Sequence, residues 1–304
     1  VEPVLKKELS GQDILAAEEN KAVLFTVENE DRPAGSGTAG DPYQISTAAE
    51  LIWFADAVND GQPELCAELT AGILLKGEAW TSIGSTSEPY AGTFDGNGHR
   101  IEGLSAPLFD TIGADGVVQE LAVYNEELGS EPDRWSECGM IAARNAGTIR
   151  QCSVRVSKGL YISGNFGMVV YDNKGTIEDC MANAVSGRSG GSSTTLNATG
   201  SAKAAGIAYL NGGTIQSCYF HGGVRYNDAA QDYAITASLG GDVVENCYCR
   251  NNVLYLGKEY YLDESRSGIT GVDSIVLGSG EVTWLLNNDG DVNGSTTEPW
   301  RQEK

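Results

Sequence analysis

GTIRQC at Gly147–Cys152, GTIEDC at Gly175–Cys180 and GTIQSC at Gly213–Cys218 are one phrase written three times. A degenerate copy, DVVENC, ends at Cys247, and an earlier one, GVVQEL, ends at Leu121. The closing positions 121, 152, 180, 218 and 247 lie 31, 28, 38 and 29 residues apart. Self-similarity at this interval is the signature of stacked supersecondary units, so the chain reads as a solenoid.

Side-chain parity says which solenoid. After the last position of the phrase, apolar or small residues alternate with mostly polar ones: Cys152/Val154/Val156, Cys180/Ala182/Ala184, Cys218/Phe220. That period of two belongs to a half-buried strand. The apolar residue before each Cys (Ile149, Ile177, Ile215) sits three places back, an odd number that a straight strand would send outward. A bend at Gln151, Asp179, Ser217 and Asn246 restores the parity, and most of these are turn formers. Another apolar stretch precedes each phrase and ends in Asn and Gly (Arg144-Asn145-Ala146-Gly147, Asp172-Asn173-Lys174-Gly175, Leu210-Asn211-Gly212-Gly213), where positive φ is expected. Strand, Asn/Gly corner, strand, tight bend, strand makes one coil of a parallel β-helix. Like positions then stack at about 4.8 Å, which puts Cys152, Cys180, Cys218 and Cys247 in one interior column.

The seven cysteines contain no CxxC pair, and two histidines leave a zinc site short of ligands. The column is therefore read as core, where Cys packs like a small hydrophobe. Cys66 and Cys138 fall outside it, and a bridge involving either stays open.

A net charge of −22 argues against a nucleic-acid partner, because phosphate binding needs a basic face. No apolar run approaches the roughly 18 residues that would span a bilayer. Thirty-nine glycines suit a chain that turns constantly.

Four zones follow along the chain. Residues 1–40 read as a leader or linker. Residues 41–304 read as the β-helix domain, its coils running from about 65 to 262. Thr47 and Glu50 form a capping box, and Leu51, Phe54, Ala55 and Val58 line one face of a helix near 48–59. Such a helix can plug the open end of a solenoid. A second short helix near 280–287 is expected to plug the other end.

DPYQISTAAELIWFADAVN (41–59), AELTAGILL (67–75), AWTSIG (79–84), YAGTFDGNGHRIEGL (90–104), the GTIxxC rungs and SGEVTWLLN (279–287) come in an order that resembles the GLUG-motif family. The likeness covers about 41–302 and departs from it at Gly72 and in the insert Ser186–Lys203. It implies an all-β fold, a single-stranded right-handed parallel β-helix of pectate-lyase-like form with short capping helices at both ends. It also implies a bacterial, adhesin-like domain displayed outside the cell as part of a longer surface protein. Right-handedness agrees with the general preference of parallel crossovers. The resemblance brings no catalytic residues.

Asp95 and His99 in FDGNGH put a carboxylate beside a histidine, but Asp95-Gly-Asn-Gly98 is turn chemistry. His221 is expected on the surface. Stacked rungs could pair Asp179 with Glu120 or Glu178 at the 5–10 Å that glycoside hydrolysis needs, so a polysaccharide lyase or glycoside hydrolase is the alternative to a non-enzymatic module. Trp135, in the polar loop Asn125–Glu137, is either a glycan or protein contact or a ring folded onto the wall. The insert Ser186–Lys203 reads as a Gly/Ser/Thr-rich excursion from the wall. Asp289, Asp291 and Asn293, followed by Gly294, match the first half of a calcium loop. Trp300 stands where that loop requires a bidentate Glu, so the segment is either a weak, incomplete calcium cage or a surface turn.

Overall fold

The computed structural model describes residues 31–128, 135–162, 164–184, 195–198, 203–224, 232–237, 243–250, 252–255, 258–261, 268–272, 282 and 286. The repeated phrase folds as the strand Thr148–Arg150, a corner, and the strand Ser153–Ile162, and the next copy as Thr176–Glu178 and Met181–Ala184. The strands pair in parallel and in register, Ile149 on Ile177 and Ile177 on Ile215. Repetition builds a first wall of eight strands from Tyr43–Ile45 to Val243–Glu245 and a second from Ile73–Leu74 to Ile269–Val272. A third wall stacks Phe109–Ile112, Ala142–Asn145, Val170–Asn173 and Ala208–Asn211. A short stack of Phe166–Gly167, Ala204–Ala205 and Asp232–Tyr233 leads into it. The chain is a single-stranded parallel β-helix. Its stack extends beyond the expected 65–262 at both ends, because Tyr43–Ile45 pairs with Ala67–Leu69 and Ile269–Val272 pairs with Cys247–Arg250.

The bend in the phrase is a left-handed residue. Glu120, Gln151, Asp179, Ser217 and Asn246 have φ between 49° and 53°. That conformation costs a residue with a side chain about 1 kcal/mol or more. In return Ile149 and Cys152, three apart, both point inward, at 0% and 2% exposure. The column of cysteines is buried as expected, and all seven thiols are free, which closes the question left at Cys66 and Cys138. The thiols also have a polar role that the core reading did not include. In the column each Sγ reaches the carbonyl two residues back across the corner (Cys152 to Arg150 O at 3.2 Å, Cys180 to Glu178 O at 3.1 Å). A weak S–H donor is thereby added to a carbonyl that already accepts the amide of the left-handed residue one rung before, Glu120 N to Arg150 O at 3.2 Å and Gln151 N to Glu178 O at 3.1 Å.

The Asn/Gly corner works differently from expectation. Gly147, Gly175 and Gly213 do not take positive φ. They are glycines because the backbones touch: a Cβ on Gly175 would stand 2.1 Å from the Gly147 carbonyl oxygen, and one on Gly213 equally close to that of Gly175. The buried asparagines hold the corner. Asn145 Oδ1 accepts from the Gly147 amide at 3.1 Å.

At the N-terminal end, helix α1 (Ala48–Asn59) starts on the expected capping box, with Glu50 N donating to Thr47 Oγ1 at 3.2 Å and Thr47 N to Glu50 Oε2 at 3.0 Å. Leu51, Phe54, Ala55 and Val58 are buried, and the Phe54 ring meets those of Tyr43, Tyr90 and Phe94. The compact body reaches back to Pro33, inside the segment expected to be linker. Gln44 N donates to Ala34 O and Cys66 N to Gly37 O, which ties residues 34–37 to the first rungs.

The C-terminal plug is not borne out. Val282 and Leu286 are helical and buried, four residues apart, but they cluster with Tyr248 and Val272 on the outer side of the second wall. Tyr248 faces out because its neighbours Cys247 and Cys249 face in, and Val282 and Leu286 help to cover its ring. The insert also returns to the wall: Thr195–Ala198 forms a strand between the far halves of Ser153–Ile162 and Tyr219–Val224.

Candidate functional site

Trp135 does not offer a binding face. It is 5% exposed, and its ring stands edge-on to Phe166 at 6.2 Å. Of the two readings of this loop residue, the structure supports the ring folded onto the wall. Asp289, Asp291 and Asn293 lie outside the described residues. Among the described residues no group of three or more His, Cys, Asp or Glu is placed to hold a metal ion.

Asp95 is occupied by the turn it builds. Its Oδ1 accepts from Asn97 N at 2.7 Å, and its Oδ2 accepts from Gln119 Nε2 at 2.6 Å, one rung on. Gln119 Oε1 in turn accepts from Arg150 Nη2 at 2.6 Å, and Glu178 Oε2 accepts from Gln216 Nε2 at 2.9 Å. The outer face of the first wall thus carries a polar ladder that ties rung to rung. Glu120 and Asp179 occupy the same corner two rungs apart, about 9.6 Å by strand spacing. Gln151 stands between them, where a hydrolytic water and the sugar would have to sit. His221 faces outward and stacks on Tyr219 with centroids 5.9 Å apart.

The surface feature that the sequence reading passed over is on the third wall. Tyr171 and Tyr209 take the same place on successive rungs, and their rings lie parallel within 9° at a centroid distance of 5.4 Å. Both are half-buried. Their backbone position holds Ala143 one rung before and Ala237 one rung after, as the Val170–Ala142 pairing and the Ala208–Thr236 bridge require. Partial burial raises the Tyr171 hydroxyl above its ordinary range, helped by Glu137, the stacked Tyr209 and Asp172, against the opposing pull of Arg144. Burial also raises Tyr209, with Tyr233 and Glu137 adding to it. Glu137 therefore lies within electrostatic reach of both rings. Beside them Asp110 pairs with Arg144 at 3.3 Å and Asp172 with Lys174 at 3.4 Å, and Leu210 is 39% exposed. An aromatic pair edged with charge on a rigid wall can take a ring-shaped or cationic ligand. Its sequence signal was the Tyr in equivalent places of GMVVYDN and GIAYLN, legible only once the rungs are aligned.

No family model matches the chain. Over 133 residues it is 30% identical to a protein of Evansella cellulosilytica named "Putative Gly-rich membrane protein", a match covering 40% of this chain. The matched region spans 15% of that relative's length. Among solved structures, the chain resembles the crystal structure of "a putative immunoglobulin A1 protease" from Bacteroides ovatus. The TM-score is 0.58 at 21% identity, covering 88% of this chain and 95% of that one. The likeness is one of fold. No helix among the described residues is long and apolar enough to cross a membrane.

Proposed function

We propose that this chain is a non-enzymatic, extracellular, adhesin-like module of a larger bacterial surface protein of the GLUG-motif type, and that it binds glycan or protein through the outer wall of its β-helix. The observation that carries the reading is the Tyr171–Tyr209 stack. Two parallel rings left half in water are a recognition surface of the kind sugars and protein side chains use, and stacked rungs hold them rigid at little entropic cost. The similarity to a much longer protein named for the membrane supports display on a cell surface within a longer chain. The acidic balance fits a solvated shaft.

A polysaccharide lyase or glycoside hydrolase is the rival reading, and the name of the B. ovatus neighbour adds a protease to it. Glycan-array binding, run beside screens for polysaccharide degradation and immunoglobulin cleavage, separates them. Retention of a glycan or surface protein without product is expected. Robust turnover that is lost when one wall carboxylate, such as Asp179, is changed to Asn would overturn the proposal.

A further inference from the structure

The arginines of the outer walls are answered by their neighbours, with one departure. Arg100 pairs with Glu102, Arg144 pairs with Asp110, and Arg150 Nη2 donates to Gln119 Oε1 at 2.6 Å. Arg155 is exposed on the second wall, and among the described residues it has neither an ion pair nor a side-chain hydrogen bond. Acidic residues outnumber basic ones 42 to 20, so an arginine without a carboxylate runs against the composition of the chain.

Val154 and Val156, both 0% exposed, fix Arg155 outward by parity. The register puts Tyr124 one rung before it and Asn183 one rung after, and His221 follows Asn183 on the next rung. The four make one outward column along the axis, at about 4.8 Å per rung. Tyr124, Asn183 and His221 are half-buried, and the Tyr219 ring stacks on His221. Glu102, one rung before Tyr124, and Glu126, two places along its strand, border the column. Both are paired with another cation, Glu102 with Arg100 and Glu126 with Lys76 at 3.8 Å.

Going beyond the proposed function, which rests on the third wall, we infer that the second wall carries a separate binding site for an acidic polysaccharide, a chain of neutral sugars bearing uronic acid. The polymer lies along the axis with a sugar carboxylate on the Arg155 guanidinium, whose planar fork matches two carboxylate oxygens. Adjoining sugars meet the Tyr124 ring on one side and the Asn183 amide and His221 imidazole on the other. One polar or aromatic side chain per rung suits an extended polymer, because each successive unit reaches the next side chain. Every rung is hydrogen-bonded to its neighbours, so little ordering of the wall opposes binding. The net charge of −22 repels a polymer charged at every unit and favours one that is sparsely acidic.

Calorimetric titration of the protein tests this with xylotriose bearing one glucuronic acid, the same oligomer with its carboxyl reduced to an alcohol, and free glucuronate. The acidic oligomer is expected to bind about ten-fold more tightly than the reduced one, as a charge-assisted contact supplies, and more tightly than free glucuronate. Arg155→Gln should make the acidic and reduced oligomers equal. Arg155→Lys should restore only part of the preference, because an ammonium does not present the fork. Both substitutions stand on the exposed side of the wall, so the melting temperature should stay at the parent value. Tyr171→Ala, on the third wall, should leave the preference unchanged. Equal affinity for the acidic and reduced oligomers in the parent, or a preference that survives Arg155→Gln, would overturn the inference. Free glucuronate that binds as tightly as the oligomer would overturn the polymer assignment. Absence of binding by all three would overturn it as well, whereas glycan or protein retention that is lost in Tyr171→Ala would still support the proposed function.

Discussion

The side-chain amide of Asn145 donates to Oδ1 of Asn173 at 2.8 Å, one rung on, and Asn173 repeats the bond to Asn211 at 2.7 Å. Each amide also donates to backbone carbonyls beside it, Asn173 Nδ2 to Gly175 O and Thr214 O at 3.3 Å. The corner between the third and first walls is therefore satisfied by a continuous line of buried amides.

Asn173→Ala interrupts that line at its centre. It leaves the Asn145 amide only its longer contacts to Gly147 O and Thr176 O, and the Asn211 side-chain oxygen without its donor, in a buried site where a lost partner costs about 1–3 kcal/mol. A loss of roughly 3 kcal/mol in urea unfolding is expected. A variant that unfolds at the parent's midpoint would mean that water can replace the ladder.

Gly175→Ala tests the close approach. The new Cβ would meet the Gly147 carbonyl oxygen at 2.1 Å, and no flexible side chain is there to move aside. Backbone displacement between rungs is the only relief, so a loss of about 3 kcal/mol or more is expected at a half-buried position. Thermal melting within a degree or two of the parent would count against the stacked geometry.

Gln151→Gly should do the reverse. Gln151 is exposed and holds φ 53°, which glycine adopts freely. Relief of the left-handed strain, about 1–2 kcal/mol, outweighs the extra backbone entropy of the unfolded chain, about 0.5–1 kcal/mol. A small rise in melting temperature is expected, and a fall would show that the corner is not strained.

Much of this fold was legible because its signals repeat. The odd spacing between Ile149 and Cys152 required a bend, and the left-handed Gln151 is that bend. The role of Gly147 was misread, since a single sequence cannot separate a glycine kept for positive φ from one kept for a missing Cβ. The register that brings Gly116, Gly147 and Gly175 together decides between them. Val282 and Leu286 were legible as helical positions, yet their place was not. Two apolar residues four apart fit an open end or an outward tyrosine equally well, and Tyr248 is recognised as the partner only after the parity of Cys247 and Cys249 is fixed. The candidate site was hidden for a similar reason. Tyr171 and Tyr209 are 38 residues apart and meet through the rung stacking, whereas the lone Trp135 drew attention as the largest ring in a polar loop.

Trp135→Ala distinguishes a packed ring from a ligand contact. Removing a ring at 5% exposure from beside Phe166 leaves a cavity, and a loss of about 3–5 kcal/mol is expected. Trp135→Phe should recover most of it. A Trp135→Ala variant of parent stability that no longer binds its ligand would return this residue to the recognition surface.

The buried thiols make stability fall in alkali. Burial pushes Cys138 and Cys249 up to about 12, the latter with help from Cys247. In the unfolded chain a thiol ionises near roughly 8.5. Below that pH the group is protonated in both states and the full stability is present. Above it the unfolded chain releases the proton while the folded chain keeps it, so each such thiol weakens folding by about 1.4 kcal/mol per pH unit until its own raised value is passed. Unfolding midpoints in urea should therefore be level between pH 6 and 8 and drop between pH 8.5 and 10. The slope should lessen in Cys249→Ala when each variant is compared with its own value at pH 7. Native protein at pH 8 should react with a disulfide reagent such as dithionitrobenzoate at none of its seven thiols within minutes, and at all seven in urea. Rapid labelling of the native column, or a midpoint that stays level to pH 10, would show that these thiols are neither sealed from water nor held neutral by the rungs above and below them.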